Sequence, residues 1–333
     1  MHVLARAPGK LVVLGEYVVL AGGPALVMAV DHHCVAEIQP SDDAVCHLHT
    51  LSDCAEDRSF DSAEGSDVAI VDSVTRHWPI EDVGAWRGCV DSSRLFVAGR
   101  KLGLGSSAAA LVAWAGAWMA YTRREAESAA DSALTELVGL HRAIQAGAGS
   151  GLDVAASLHG GVLAFRLVSG DRPDIVSVTL PNSVRFVGVA TPQVASTPNL
   201  LARFDAWRAA EPAAAAMQLD RMRQVAEVGI ASADAGDAPQ FLAAVRQYGL
   251  ELDALGASIG AEIVTPEHAA IAKAAARVGV TYKVSGAGGG DIGLGLATDE
   301  EALEAFSIGL PAGCEVLRLT IDGTGLVTEE REA

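Results

Sequence analysis

Lysine is scarce in this chain. Only four of the 24 Lys and Arg are lysine (Lys10, Lys101, Lys273 and Lys283), and 42 Asp and Glu leave a formal net charge of −18 at pH 7. So acidic a chain repels nucleic-acid backbone and anionic membrane, so neither is expected as a partner, although a small anion can still bind at a local basic site. Paired cysteine spacing is also missing. The five cysteines are an odd number with no C-x-x-C, which argues against a disulfide framework or a cysteine metal site and for reduced, idle thiols in the cytoplasm. The most apolar early run, LVVLGEYVVLAGGPALVMAV, is broken by Glu16 and by Gly-Gly-Pro. It reads neither as a membrane span nor, with Lys10 and Glu16 interrupting it, as a signal peptide.

Half of the 333 residues are hydrophobic and only 5% are aromatic. That composition suits a globular protein rich in Ala, Gly and Val, and the length favours two domains. Short strands are expected at VLARA, LVVLGEYVV, ALVMAV and CVAEI. Residues 41 to 67 read as a polar loop or edge. A helix is expected from Ser106, with Leu111, Ala115, Trp118 and Met119 on one side, and a second over about 128 to 145. A glycine bend and short helix at QAGAGSGLDVAASLHGG lead into strands VLAFRL, IVSVTL and RFVGVAT. Ala-rich helices cover about 199 to 257, and a further helix has Thr265 as N-cap and Pro266 in its first turn. EVLRLTI reads as the last strand. The change in helix content places a boundary between residues 170 and 185, giving an N-terminal domain over 1–175 and a C-terminal domain over 176–333.

Three glycine-rich segments stand apart from this pattern: APGKLVVLGEY, RKLGLGSSAAALVAW and KVSGAGGGDIGLG. In the second, glycines open directly onto a helix, where unpaired N–H groups and the positive end of the helix dipole attract anions, above all phosphates. A tight loop with Ser106 capping the helix is the structural alternative. Three of the four lysines adjoin these segments: Lys10 in the first, Lys101 opening the second, Lys283 opening the third. In a chain otherwise biased to arginine, that placement fits a compact point charge beside phosphate, the alternative being lysines projecting into solvent at strand ends. Asp153, in GSGLDVAAS, lies among small and apolar neighbours. It is either a first-turn carboxylate favoured by the helix dipole or a partly buried one needing a cation, for which Lys10 is the candidate.

In their order these segments resemble the three motifs of the GHMP kinase family, named for galactokinase, homoserine kinase, mevalonate kinase and phosphomevalonate kinase, over residues 5 to 297. Within the family the chain is most similar to phosphomevalonate kinases. The second motif reads K-x-G-L-G-S-S-A, the third ends G-A-G-G-G-D, and His141, Gln145, Gly149, Ser150, Gly151, Asp153, Val154 and Ala155 follow that subfamily's H-x-x-x-Q-x-x-x-G-S-G-x-D-V-A run. The glutamate that binds metal in mevalonate kinases has no counterpart, since no carboxylate lies between Glu136 and Asp153.

The resemblance implies an α+β, two-domain GHMP kinase fold, with an N-terminal domain like the second domain of ribosomal protein S5 and a ferredoxin-like C-terminal domain. It implies ATP and Mg2+. The ATP phosphates would lie on Gly103, Leu104, Gly105, Ser106, Ser107 and Ala108 beside Lys101, with Ser107 a magnesium ligand. Asp153 would be the base and Lys10 its partner. Glu16 and Tyr17 would contact the acceptor, together with His141, Ser150 and the segment Ser285, Gly286, Ala287, Gly288, Gly289 and Asp291. The activity implied is phosphorylation of mevalonate 5-phosphate to the 5-diphosphate in isoprenoid biosynthesis, with mevalonate or a sugar as other acceptors. Two further readings stay open. GLGSSA also satisfies a dinucleotide-binding G-x-G-x-x-A with Glu125 and Glu127 about twenty residues on, and the fold could serve a non-catalytic sensor. His141 is either a satisfied helix histidine or a phosphate-orienting one. His32 and His33 read as a surface turn, and Arg6, Arg100 and Arg142 as possible acceptor cations. Oligomeric state is not legible.

Overall fold

The computed structural model describes residues 2–62, 64–80, 83–123, 130–145, 147, 149–168 and 172–331. Glu125 and Glu127 lie outside them. The chain packs into two compact units, one of Met1–Lys10, Ala29–Gly161 and Ile321–Ala333, the other of Leu11–Met28 and Val162–Thr320. This partition differs from a single cut at residue 175 because the long strands His2–Leu14 and Ala25–Pro40 each run from one unit into the other. Among the described residues no helix is long and apolar enough to cross a membrane.

In the first unit, His2–Arg6 pair antiparallel with Val327–Arg331, a C-terminal strand that its charged sequence, VTEER, conceals. Val35–Pro40 pair with Trp86–Asp91, which runs parallel to Cys46–Leu51, and this strand turns back as the hairpin partner of Ala55–Phe60. The polar loop or edge expected over 41–67 is therefore largely a hairpin at the sheet's edge. Cys46 and Leu48 point inward while His47 and His49 point outward and pair with Asp43 and Asp57, so the polar half of the alternation dominates the sequence. The helix Ser106–Tyr121 is buried all round from Ala108 to Trp118, rather than along one side as its periodicity suggested. Small residues make this possible: a Cβ on Gly116 would stand 2.7 Å from Leu326, and one on Gly88 2.8 Å from Trp114. The helices Ala69–His77, Ala130–Ile144 and Leu152–His159 complete the unit.

The second unit contains a four-stranded antiparallel sheet in the order Thr281–Val284, Ile292–Ala297, Arg185–Ala190, Glu315–Leu317. Numbered along the chain, that order reads 2-3-1-4, the ferredoxin-like arrangement, with the helices Pro266–Arg277 and Glu300–Ile308 against it. Gly293 and Gly295 alternate along the strand Ile292–Ala297 and leave room for Tyr282 and Phe306, each within 3 Å of where a Cβ would stand. Those rings, with Val187, Val189, Ile271 and Leu303, form the core, each fully buried side chain contributing about 1.5–3 kcal/mol. The expected final strand EVLRLTI shortens to Glu315–Leu317. The helices Thr197–Ala210, Pro212–Asp234 and Ala238–Ile259, like Pro266–Arg277, begin with proline in the first turn, where its missing N–H costs no hydrogen bond. Thr265 caps the last of these through the N–H of His268 at 3.3 Å.

The segment LVVLGEYVV is not one strand. The strand ends at Leu14, Gly15 turns at φ 99° with no room for a side chain (a Cβ would lie 2.3 Å from Ala25 Cα), and a short 3-10 helix follows over Val18–Ala21. Conversely, APGK is no loop but the middle of the 13-residue strand His2–Leu14.

Candidate active site

In the first unit, Lys10 sits on that strand. Its backbone N–H donates to the Leu104 carbonyl at 2.8 Å, and its Nζ to the Gly103 carbonyl at 3.0 Å. Strand and glycine loop are thus stitched together at the lysine. Gly103 and Gly105 adopt φ of 73° and 77°, and Gly105, not Ser106, is the N-cap of the helix Ser106–Tyr121. No side chain caps it. The first-turn N–H groups therefore end in a positive pole that no side chain caps, the arrangement that favours phosphate oxygens. A Cβ on Gly105 would stand 3.1 Å from Lys10 Cγ and 3.8 Å from Asp153 Cβ, so cation and carboxylate flank the same small space.

Asp153 lies in the first turn of Leu152–His159, behind Gly151 at φ 88°, with its Oδ1 accepting from the Val154 N–H at 3.0 Å. Its side chain is about a quarter exposed. His141, 2% exposed, connects it to the loop: Nδ1 is 3.8 Å from Asp153 Oδ1, while Nε2 is 3.2 Å from Ser107 Oγ and 3.1 Å from Gln145 Nε2. A proton on Nδ1, facing the carboxylate, leaves Nε2 to accept from the Gln145 amide, so this tautomer fits both sides. His141 is thus a satisfied helix histidine and also a bracket between Ser107 and Asp153.

Other expected residues are engaged differently. Lys101 is exposed on a two-residue strand, in the position foreseen by the solvent alternative. Arg142 donates to the carbonyls of Gly149 and Ser150 at 3.0 and 3.2 Å and so holds the turn before Asp153. Ser150 Oγ accepts from the Leu152 N–H at 3.4 Å. His32 and His33 lie on the strand Ala25–Pro40, not in a surface turn. His33 pairs with Asp322 at 2.7 Å; burial raises this carboxyl, but the Gly325 N–H, His33 and the Thr324 N–H together hold it below its usual range.

In the second unit, Glu16 and Lys283 form a buried ion pair, their side chains 3% and 0% exposed. Lys283 Nζ also donates to the Val12 carbonyl at 3.4 Å and lies over the Tyr248 ring, 5.9 Å from its centroid. Glu16 Oε1 accepts a further bond from the Gly286 N–H at 3.3 Å, and the Glu16 carbonyl accepts from Tyr248 OH at 2.8 Å. Burial pulls the Lys283 ammonium below its usual range, opposed by Glu16. Tyr17, at φ 65°, donates its hydroxyl to the Ala287 carbonyl and packs edge-on against Phe204, and burial followed by the Glu16 charge raises its pKa. Ser285 Oγ accepts from the Val12 N–H at 2.9 Å. Asp291 Oδ1 accepts from the Ala195 N–H at 3.0 Å. Gly288 and Gly289 run beside Ile263: a Cβ on Gly288 would lie 2.4 Å from its carbonyl, and the Gly289 N–H donates to it at 2.9 Å.

Sequence reasoning placed Glu16 and Lys283 in different motifs and did not join them, because 267 residues separate them. Tyr248 was missed altogether. Its only signal is a polar aromatic within an Ala-rich helix.

No family model matches the chain. The phosphomevalonate kinase of Streptomyces sp. strain CL190 is 29% identical, with 90% of each chain covered. Among solved structures, the Lin0012 protein from Listeria innocua superposes with a TM-score of 0.87 at 21% identity, covering 99% of this chain and all of that one. Streptococcus pneumoniae phosphomevalonate kinase, solved in complex with phosphomevalonate and AMPPNP, gives 0.78 at 20% identity over 96% and 99%. The chain is thus similar to a phosphomevalonate kinase in sequence and to GHMP kinases in fold. The structural matches establish the GHMP kinase fold. The dinucleotide reading of GLGSSA loses its basis, since the loop follows a two-residue antiparallel strand and not the parallel strand of a βαβ unit.

Proposed function

We propose that this protein transfers the terminal phosphoryl group of ATP to mevalonate 5-phosphate, yielding mevalonate 5-diphosphate, in the cytoplasm. The observation that carries the reading is the side-chain-free N-terminus of Ser106–Tyr121, with Lys10 on one side of Gly105 and Asp153 on the other. The likeness to the Streptomyces phosphomevalonate kinase supports the choice of acceptor.

In this reading the N–H groups of residues 105–108 bind phosphate oxygens, and Lys10 Nζ neutralises charge on the group in transfer. Phosphoryl transfer depends mainly on such positioning and neutralisation. The residues present fit Mg2+: Ser107 Oγ offers a hard oxygen at the loop, and this ion is commonly held by one or two protein oxygens together with phosphates and water. Bound there, it would supply positive charge that offsets the charge of the phosphates. Ser107 would hold it, with His141 orienting the hydroxyl. An acceptor phosphate, its second pKa near 6, is already largely deprotonated at neutral pH, so Asp153 acts chiefly on charge and orientation rather than by removing a proton. Ser285–Asp291 we assign to the acceptor.

One observation favours a second acceptor, mevalonate. Lys283 and Arg142, two cations that could have met an acceptor phosphate, are occupied by Glu16 and by backbone carbonyls. With an alcohol acceptor Asp153 would be a true general base. The deciding experiment is ATP consumption by the purified protein with Mg2+, offered mevalonate 5-phosphate, mevalonate, homoserine and a sugar panel in parallel. Selective turnover of mevalonate 5-phosphate upholds the proposal, selective turnover of another acceptor replaces it, and silence on every acceptor supports a sensor.

A further inference from the structure

We infer that Glu16 and Lys283 are a positioning pair that sets the glycine segment Ser285–Asp291, and that the third motif's lysine is not a phosphate-binding cation. The inference rests on the kinase reading for its kinetic consequences but not for its structural test.

Five contacts join Lys283 and the segment's first three residues to the stretch Val12–Tyr17. Lys283 Nζ meets Glu16 Oε1 and the Val12 carbonyl. The Val12 N–H donates to Ser285 Oγ, the Gly286 N–H donates to Glu16 Oε1, and Tyr17 OH donates to the Ala287 carbonyl. Successive residues 285, 286 and 287 are thus each fixed by a different group of one short stretch. Lys283 has no solvent-exposed side-chain surface, so it cannot present its ammonium to a ligand while this arrangement holds. A buried pair of this kind is a poor source of net stability, because desolvation offsets most of its attraction, yet losing one partner strands a buried charge. Glu16 already leaves Oε2 buried without a hydrogen-bond partner, which makes the carboxylate doubly dependent on Lys283. The stretch Ser285–Asp291 has positive φ at Gly286, Gly288, Gly289, Gly290 and Asp291, so its backbone has little intrinsic preference for one path and needs external registration.

The test is a double-substitution cycle on the full chain with Glu16→Gln, Lys283→Met and the two combined, reading thermal unfolding together with KM for the accepted substrate and kcat. A positioning pair predicts that both single variants raise KM by about tenfold or more, and that the double variant recovers most of that loss and unfolds at a higher temperature than either single. Single variants that fail to fold while the double folds also uphold the pair. If Lys283→Met alone raises KM, Glu16→Gln matches the parent, and the double is no better than Lys283→Met, the lysine is a ligand cation and the inference falls. If the parent turns over none of the acceptors, the kinase reading has failed separately. The unfolding cycle still decides: recovery in the double supports the pair, and additive or greater loss overturns it.

Discussion

Gly103–Ala108 and Ser285–Asp291 follow a lysine by a few residues and both rely on glycines at positive φ, but they continue differently. The first opens onto a helix whose end no side chain caps. The second opens onto the strand Ile292–Ala297, and its residues are gripped by Val12, Tyr17, Glu16, Ile263 and Gln193. Glycine content marks where a chain turns sharply. The element that follows decides whether the turn ends in an uncapped helix or is bonded within the protein. The lysines beside them divide too: Lys101 is exposed, while Lys283 is enclosed with a carboxylate, and Lys10 reaches the first segment from another strand through the Gly103 carbonyl.

The strongest way to test the contrast is at Lys10. Lys10→Met is expected to lower kcat about a thousandfold, by analogy with removing one preorganised charge-stabilising group, measured in coupled ATP-consumption assays at saturating ATP. Asp153→Asn is expected to cost less than about a hundredfold, below the lower bound typical of a required general base. A larger loss at Asp153 than at Lys10 would point to an alcohol acceptor.

Substituting alanine into the two glycine segments separates ligand binding from stability. Gly288→Ala would push a methyl to 2.4 Å from the Ile263 carbonyl at φ 77°, with an expected stability loss of about 3 kcal/mol in urea unfolding. Gly105→Ala meets the flexible Lys10 stem at 3.1 Å and, in ordinary van der Waals contact, Asp153 Cβ at 3.8 Å. It should cost about 1–2 kcal/mol and be read mainly as a raised KM for ATP. Equal stability losses with no change in KM would erase the distinction.

The smallest effect is expected from pH. His268 is fully buried between Tyr282 OH at 2.7 Å and the Gly290 carbonyl at 3.2 Å, and burial lowers its pKa. Below about pH 6.5 the unfolded imidazole binds a proton that the folded one does not. Stability is therefore intact above that pH and declines as pH falls, by at most about 1.4 kcal/mol per pH unit for one proton. Urea unfolding at pH 5.5 and 7.5 should show this decline, and His268→Gln should reduce it. An equal decline in the variant would remove His268 as its source.

Much of the local order was legible in the sequence: the helix beginning at the glycine loop, the Thr265 cap with Pro266, and the strand, loop and strand at residues 281–297. These follow from short-range rules of capping, φ and alternation, which neighbouring residues settle among themselves. The scarcity of lysine and its clustering beside glycines also needed no coordinates. The fate of each lysine did. That Lys10 meets Gly103, that Lys283 meets Glu16 across 267 positions, and that His141 stands between Ser107 and Asp153 depend on which distant segments pack together. Burial, and with it the cost of leaving a charge unpaired, is a property of that packing and not of the residue.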